Sequence, residues 1–101
     1  MNKEDRAQAF KPLDPLLHSE LRLAVMSILV SAESANFSYL KKQTDATSGN
    51  LSVQIDKLEK AGYITVSKGF KGKMPQTTCS ITDKGHKAFE DYIDALRSYI
   101  R

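Results

Sequence analysis

Six residues between positions 48 and 57 carry groups that could contact a nucleic acid. They are Ser48, Asn50, Ser52, Val53, Gln54 and Lys57. Serine hydroxyls and a lysine ammonium group bind phosphate oxygens, the amide of Asn or Gln pairs with the edge of adenine, and valine contacts the methyl group of thymine. The alternative interpretation is a helix cap followed by an ordinary solvated face. Which interpretation applies depends on the helices and strands that position these side chains.

The stretch 47–64 is predicted to place these residues on the outer face of one helix. Leu51, Ile55 and Leu58 recur at i, i+4 and i+7, which indicates one buried stripe. The Thr-Ser pair at the start of the stretch can cap the first turn, and Gly62 can adopt the left-handed conformation that ends a helix. Short donors and acceptors on the opposite side can then approach another surface closely, as a DNA recognition helix requires.

Lysines are concentrated around this predicted helix. From Lys41 to Lys87, nine lysines and four acidic residues give a net charge of +5, and the remainder of the +3 chain carries −2. This asymmetry favours a polyanionic partner. Two further groups of residues are candidates for contact with DNA. For the first group the alternative is a mobile charged loop, and for the second it is a solvated helix face. They are Lys68, Lys71, Lys73, Gln76 and Thr77 on a predicted hairpin, and Lys41 and Lys42 on a predicted second helix.

The N-terminal part is predicted to contain an arm and a core helix. Residues 1–12 are polar and are expected to form a flexible arm, and residues 13–101 are expected to form a single domain. Asp14, followed by proline, predicts a helix start, and apolar residues at helical spacing continue it through Ser31. Arg22 is expected to face solvent.

The rest of the chain predicts an α+β fold, mainly α, with three helices, a two-stranded hairpin and a long C-terminal helix. Residues 32–36 are expected to form a loop, and a short helix over 37–44 precedes the helix that is capped at Thr47 or Ser48 and ends at Gly62, as in a helix-turn-helix. β-Branched and aromatic residues predict strands at 63–67 and 77–81, with a basic loop between them. Asp83 is expected to cap the last helix.

An apolar stripe on the last helix, about residues 84–101, predicts a homodimer. A helix of about 17 residues is about 25 Å long, which is enough to reach beyond a core that the other elements already close. The predicted dimer interface consists of Leu13, Leu17, Phe89, Tyr92, Ile93, Leu96, Tyr99 and Ile100. A two-fold dimer would place two recognition helices on one face of a duplex, about one helical turn apart.

Composition and motifs exclude several classes of protein. The chain has 101 residues, the size of one domain, and has neither an apolar run long enough for a bilayer nor an apolar N-terminal signal segment. We therefore expect a cytoplasmic protein without a membrane partner. No arrangement typical of nucleophilic, acid-base or phosphate-loop chemistry is visible, so we expect no enzymatic activity, no metal and no cofactor. An enzyme or metal sensor that uses the single cysteine, Cys79, is an alternative, although packing in a strand is the simpler role for it.

Five stretches occur in an order that resembles a known family. They are His-Ser-Glu-Leu-Arg-Leu-Ala-Val-Met at 18–26, Ser-Gly-Asn-Leu-Ser at 48–52, Leu-Glu-Lys-Ala-Gly-Tyr-Ile at 58–64, Lys-Met-Pro-Gln-Thr-Thr at 73–78 and Ile-Thr-Asp-Lys-Gly-His-Lys-Ala at 81–88. Together they cover about residues 14–100 and resemble the winged-helix DNA-binding domain of small prokaryotic transcriptional regulators, close to the MarR and ArsR groups. The resemblance implies double-stranded DNA as a partner, with the helix that ends at Gly62 in the major groove and the hairpin on the backbone or in the adjacent minor groove.

The chain departs from the family pattern in two places. Its hairpin carries lysines where such wings often place arginine, and lysine binds phosphate well but reads a narrow minor groove less selectively. It also lacks the paired cysteines or His/Asp/Glu clusters of ArsR-type metal sensors. The hypothesis is a dimeric, sequence-specific transcriptional regulator whose wing adds affinity more than sequence choice. The alternative is a winged-helix module that binds protein without DNA sequence specificity. The sequence leaves the operator and any small-molecule effector unknown.

Overall fold

The computed structural model describes residues 9–100, which form four helices and a three-stranded antiparallel sheet. In chain order the elements are α1 (Glu20–Ala32), β1 (Ser34–Asn36), α2 (Phe37–Thr44), α3 (Ser48–Lys60), β2 (Ile64–Lys71), β3 (Met74–Ile81) and α4 (Asp83–Arg97). The strand order is β1-β3-β2. The predicted α+β winged helix-turn-helix is confirmed, with one strand more than the sequence indicated.

The first helix begins later than the sequence predicted. Asp14 caps only a single turn, in which its carboxylate accepts a hydrogen bond from the Leu16 amide at 2.9 Å. Ser19 then adopts an extended conformation, with φ −152° and ψ 127°, and its side chain accepts a hydrogen bond from the Arg22 amide to cap α1. The predicted start at Asp14 is wrong because the extended backbone at Ser19 separates the first turn from the helix.

The predicted loop over 32–36 contains a reversal and a strand. Glu33 has a φ of 68°, and its amide donates to the Leu29 carbonyl oxygen at 2.8 Å, which ends α1. β1 then pairs antiparallel with β3, with Ala35 opposite Cys79. Because the partner strand lies far away in the sequence, no local pattern indicates this pairing.

One apolar core joins the helices to the sheet. Its fully buried side chains include Leu17, Val25, Met26, Leu29, Leu40, Leu51, Leu58, Ile64 and Cys79. α3 contributes Leu51, Ile55 and Leu58, which is the stripe that its spacing predicted. Burial of this stripe fixes which face of α3 remains outside.

The wing, defined here as β2, β3 and the turn between them, is more regular than expected. The strands pair along their full length, from Ile64 opposite Ile81 to Lys71 opposite Met74. The predicted loop over 68–76 is therefore reduced to the two-residue turn Gly72-Lys73. Gly72 has a φ of 62°, and a glycine at the first central position suits the tight turns that match strand twist.

The last helix is capped one residue earlier than predicted, and the N-terminal segment packs against it. Thr82, not Asp83, is the N-cap, because its hydroxyl oxygen accepts a hydrogen bond from the Gly85 amide at 3.0 Å. Of the predicted flexible arm, residues 1–8 lie outside the described residues. Lys11 donates to Asp94 on α4 at 2.7 Å, which ties the end of that segment to the helix.

Candidate nucleic-acid interface

The exposed face of α3 carries the polar residues that the sequence singled out. The Thr47 side chain caps the helix by accepting a hydrogen bond from the Asn50 amide at 3.1 Å. Ser48, Asn50, Ser52, Val53 and Lys57 are exposed, and Gln54 is half-buried. Val53 is 51% exposed, although an apolar side chain gains nothing from contact with water. The face therefore combines hydroxyl, amide, ammonium and methyl groups on one rigid element.

A chain of hydrogen bonds connects this face to the interior. The Arg22 guanidinium donates through Nε to the Leu16 carbonyl oxygen at 2.5 Å and through Nη1 to Oε1 of Gln54. Gln54 in turn donates through Nε2 to Oδ1 of Asn50 at 3.0 Å. Both ends of the Gln54 amide are thus engaged within the protein, and its side chain positions Asn50.

The prediction that Arg22 faces solvent is wrong. Arg22 precedes Val25, Met26 and Leu29 by three, four and seven residues, so it lies on the same face of α1 as these buried side chains. The spacing indicates that Arg22 is on the core-facing side of α1, but a charged residue is ordinarily assigned to the solvent-facing side. Arg22 can lie on this face because its guanidinium finds two acceptors there.

The wing and α3 enclose a groove in which the lysines are not equivalent. Lys68 lines it together with Val66 and Thr77 of the wing and, on α3, with Ser52, Ile55, Asp56 and Glu59. Lys68 thus shares its groove with two carboxylates, and Asp56 pairs with Lys60 at 2.9 Å. Lys71 and Lys73 lie further out, exposed, on a hairpin that has no acidic residue from 64 to 82. The positive charge of the wing is therefore concentrated at its tip.

The remaining candidates lie on both sides of this groove. Gln76 pairs with Gly69 and shares its face of the wing with Lys71, so it points away from the face that carries Lys68 and Thr77. Lys41 and Lys42 are exposed in the last turn of α2, as predicted, while Leu40 is fully buried. The turn from α2 to α3 passes through Asp45, which has a φ of 55°.

Two of the predicted dimer residues belong to the core of the chain itself. Leu17 is fully buried and Tyr92 nearly so, with the Tyr92 hydroxyl 3.0 Å from Nδ1 of His18. Their side chains leave almost no surface for a partner, and we remove both from the candidate interface. The other six lie at the surface of the chain, with Leu13, Phe89, Ile93 and Leu96 half-buried and Tyr99 and Ile100 exposed.

Tyr63 joins the end of α3 to the N-terminal segment. Its hydroxyl donates to Oδ2 of Asp14 at 2.5 Å, and the Lys84 ammonium lies 5.8 Å from the centre of its ring. Burial, together with the bond to the Asp14 carboxylate, raises the pKa of Tyr63 to about 12. The phenol therefore stays protonated near neutral pH and remains a donor.

Cys79 has the environment of a packing residue. It is fully buried between the sheet and the helices, and this burial raises the pKa of its thiol to about 11. A protonated, inaccessible thiol is neither a nucleophile nor a redox sensor. Within residues 9–100, no three His, Cys, Asp or Glu side chains are grouped so that they could hold a metal ion. None of the helices over the same range is long and apolar enough to cross a membrane.

The sequence comparisons agree with this geometry. The winged helix DNA-binding domain family matches residues 21–100, and the chain belongs to that family. The chain is 35% identical over 79 residues to the uncharacterized protein MJ0432 of Methanocaldococcus jannaschii. The aligned residues cover 77% of this chain and 85% of that protein.

Solved structures show the same fold. The transcriptional regulator homologue protein from Pyrococcus horikoshii OT3 superposes with a TM-score of 0.79 at 32% identity, covering 84% of each chain. The transcriptional regulator BldR from Sulfolobus solfataricus superposes with a TM-score of 0.69 at 22% identity, covering 81% of this chain and 58% of that one. Family and fold thus indicate DNA binding and not catalysis.

Proposed function

We propose that this protein is a transcriptional regulator that binds duplex DNA sequence-specifically as a homodimer. The observation that carries the proposal is the outer face of α3, where Asn50, Ser52 and Val53 are exposed beside a wing with a lysine-bearing tip. Membership of a DNA-binding family and the 32% identity to a regulator homologue support it. The proposed place of action is the cytoplasm, with the DNA.

In this proposal α3 lies in the major groove. Asn50 has a defined orientation because Gln54 holds its Oδ1, and the Nδ2 group of Asn50 is then the donor directed to a base edge. Val53 contacts a thymine methyl group, while Ser48, Ser52 and Lys57 contact the phosphates on either side. Gln54 acts by positioning Asn50 and not by pairing with a base itself.

The wing supplies phosphate contacts from its tip. Lys71 and Lys73 follow the DNA backbone, whereas Lys68 shares its groove with Asp56 and Glu59 and contributes less. The exposed lysines at the end of α2, Lys41 and Lys42, extend this positive surface on the other side of the helix-turn-helix. Each neutralised phosphate releases counterions, so binding weakens as salt rises.

A homodimer duplicates this surface. The candidate interface is formed by Leu13, Phe89, Ile93, Leu96, Tyr99 and Ile100, which lie on the N-terminal segment and along α4. Two-fold symmetry would present two α3 helices to successive major grooves, about one helical turn apart. Such a dimer reads a palindromic site that one domain alone would bind weakly.

The proposal is tested by fluorescence anisotropy with duplex DNA selected from a genomic pool, at several salt concentrations. The slope of log affinity against log salt should change by about 0.9 for each phosphate contact removed. Lys71→Ala with Lys73→Ala should weaken binding to all duplexes and flatten the slope by about 1.8. A matched pair, Lys84→Ala with Lys87→Ala on α4, removes the same charge and should leave the slope nearly unchanged.

Base recognition is tested separately from phosphate binding. Asn50→Ala should reduce the preference for the selected site over a scrambled duplex by about 1–3 kcal/mol, and it should leave the salt slope as it is. Absence of binding by the wild-type protein at low salt would reject the proposal and favour a winged-helix module that binds protein. If the Asn50 and lysine variants changed the sequence preference and the salt slope equally, the assignment of base recognition to Asn50 and of phosphate binding to the lysines would be rejected.

A further inference from the structure

The wing tip exposes a large aromatic side chain that phosphate binding does not use. Phe70 is 75% exposed, next to Lys71 and two residues from Lys68. A phenyl ring in water forgoes the burial that normally stabilises it, and its neighbours on the hairpin leave most of this ring uncovered. Single exposed apolar side chains are common, but this ring is held on a fully paired hairpin among lysines, so the wing tip is a candidate contact surface.

The register of the wing shows which way this ring points. Phe70 is opposite Pro75, and Lys68 is opposite Thr77, so all four share one face of the hairpin. Lys68 and Thr77 line the groove against α3, and Phe70 is therefore directed to the α3 side of the wing. Met74 is opposite Lys71 and lies on the other face.

The reach of the wing matches the spacing of grooves in DNA. Val66 lines the groove beside α3, and Phe70 is four residues further along the same strand, or about 13 Å at the usual rise of a strand. The major groove of B-DNA is about 12 Å wide. When α3 lies in a major groove, a wing of this length is therefore long enough to reach past the phosphate wall of that groove toward the adjacent minor groove.

The tip is both rigid and positive. β2 and β3 remain paired up to Lys71 and Met74, so the ring sits one residue from a two-residue turn and not on a long loop. Lys68 shares its face of the hairpin, Lys71 and Lys73 are close to it in the sequence, and residues 64–82 contain no acidic side chain. This charge is complementary to a phosphate-lined groove and favours DNA as the partner of the apolar tip.

We propose that Phe70 is a wedge that enters the minor groove between two base pairs, partly unstacks them and bends the duplex. The inference rests on the proposed binding of duplex DNA and adds to it a second source of selectivity. Pyrimidine–purine steps such as TA unstack most easily, so a site with such a step at the wing position is preferred although no base edge is contacted there. The lysines hold the backbone on either side while the ring inserts.

The experiment uses the full chain and a selected duplex with 2-aminopurine at the step nearest the wing and a donor–acceptor dye pair at its ends. Binding should raise the 2-aminopurine fluorescence and shorten the end-to-end distance. Phe70→Ala should abolish both signals and weaken binding about ten- to hundredfold, the range measured for base–aromatic stacking, without changing the salt slope. Phe70→Leu should retain part of both signals, because leucine also serves as a wedge.

Two controls separate the wedge from its surroundings. Met74→Ala removes an exposed apolar side chain from the opposite face of the same tip, and Lys71→Ala removes a charge. Met74→Ala should leave fluorescence and bending unchanged, and Lys71→Ala should flatten the salt slope by about 0.9 while the unstacking signal at saturation persists. Because Phe70 is so exposed, its variants should unfold at the wild-type temperature.

The outcomes distinguish this inference from the proposed function. Tight binding by the wild-type protein without unstacking or bending would overturn the wedge and leave the DNA-binding proposal standing. Retention of both signals by Phe70→Ala would also overturn it. Failure of the wild-type protein to bind any duplex at low salt would overturn both. Phe70-dependent binding to vesicles of phosphatidylglycerol and phosphatidylcholine, with DNA complexes insensitive to the substitution, would assign the tip to a lipid surface and reject the wedge.

Discussion

Gly85, in the first turn of α4, packs against the backbone at Tyr63. A Cβ atom at this position would clash with the Tyr63 carbonyl oxygen and would lie 3.0 Å from Cγ1 of Ile81. The clash involves backbone, which cannot rotate away as a flexible side chain can. Glycine therefore lets the first turn of α4 pack directly on the residue that precedes β2.

Replacement of Gly85 by Ala should destabilise the fold by about 2 kcal/mol or more, because overpacking costs more than the better helix propensity of alanine returns. The unfolding midpoint should fall by about 10 °C in a domain of this size. Gly49→Ala is a suitable control, since nothing lies within 4 Å of a Cβ there. That variant should melt at or slightly above the wild-type temperature. Equal melting temperatures for the two variants would show that α4 can move away from the Tyr63 carbonyl oxygen without loss of stability.

The hydrogen bonds of Arg22 join two elements, α1 and α3. One guanidinium holds the Leu16 carbonyl oxygen and the Gln54 side chain, and through Gln54 it orients Asn50. Lysine cannot replace this fork, because its single ammonium group does not present two donors in a fixed plane. The orientation of the candidate recognition surface thus depends on a residue of the supporting helix.

Arg22→Ala and Arg22→Lys should both reduce the preference for the selected duplex over a scrambled one, with Arg22→Ala approaching the effect of Asn50→Ala. Urea unfolding should show a loss of about 1 kcal/mol or more for Arg22→Ala, as expected when two half-buried acceptors lose their charged donor. Arg97→Ala, at the exposed end of α4, removes the same charge and should change neither quantity. An unaltered specificity ratio in both Arg22 variants would show that Asn50 is oriented by α3 alone.

The sequence predicted elements whose signals are local and missed those that depend on distant partners. The stripe Leu51, Ile55, Leu58 identified α3 because a helix has to bury one face. β1 could not be predicted, because its three residues are ordered only by pairing with β3. The lysines and amides of the candidate interface were visible as residue types. The tie from Arg22 to Gln54 was not, because it depends on how two helices pack.

The apolar residues of α4 divide into a buried and a partly exposed set, which periodicity could not separate. Tyr92 completes the core of the chain, while Phe89, Ile93 and Leu96 are only half-buried and Ile100 is 74% exposed. The ring of Phe10 stacks on Tyr99 with the ring centres 4.8 Å apart, which brings the N-terminal segment to the same end of α4. An apolar surface that extends over two segments is typical of a site buried between subunits.

A test of this surface is Ile100→Glu combined with Leu96→Glu, which places charges on the candidate dimer interface. Sedimentation should give twice the chain mass of 11.3 kDa for the wild-type protein and the single mass for the variant. The control is Met74→Glu, an equally polar replacement at the 70% exposed wing tip, which should remain dimeric. Because Ile100 is so exposed, Ile100→Glu alone should weaken the dimer without unfolding the chain.

Loss of the dimer should also change how DNA is bound. A dimer holds its second domain at a high effective concentration near the second half-site, so the variant should lose affinity for a palindromic duplex and little for a single half-site. The melting temperature of the wild-type protein should rise with its concentration, whereas that of the variant should not. A wild-type protein that sediments at 11.3 kDa and binds half-sites and palindromes equally well would assign α4 to the fold of a monomer.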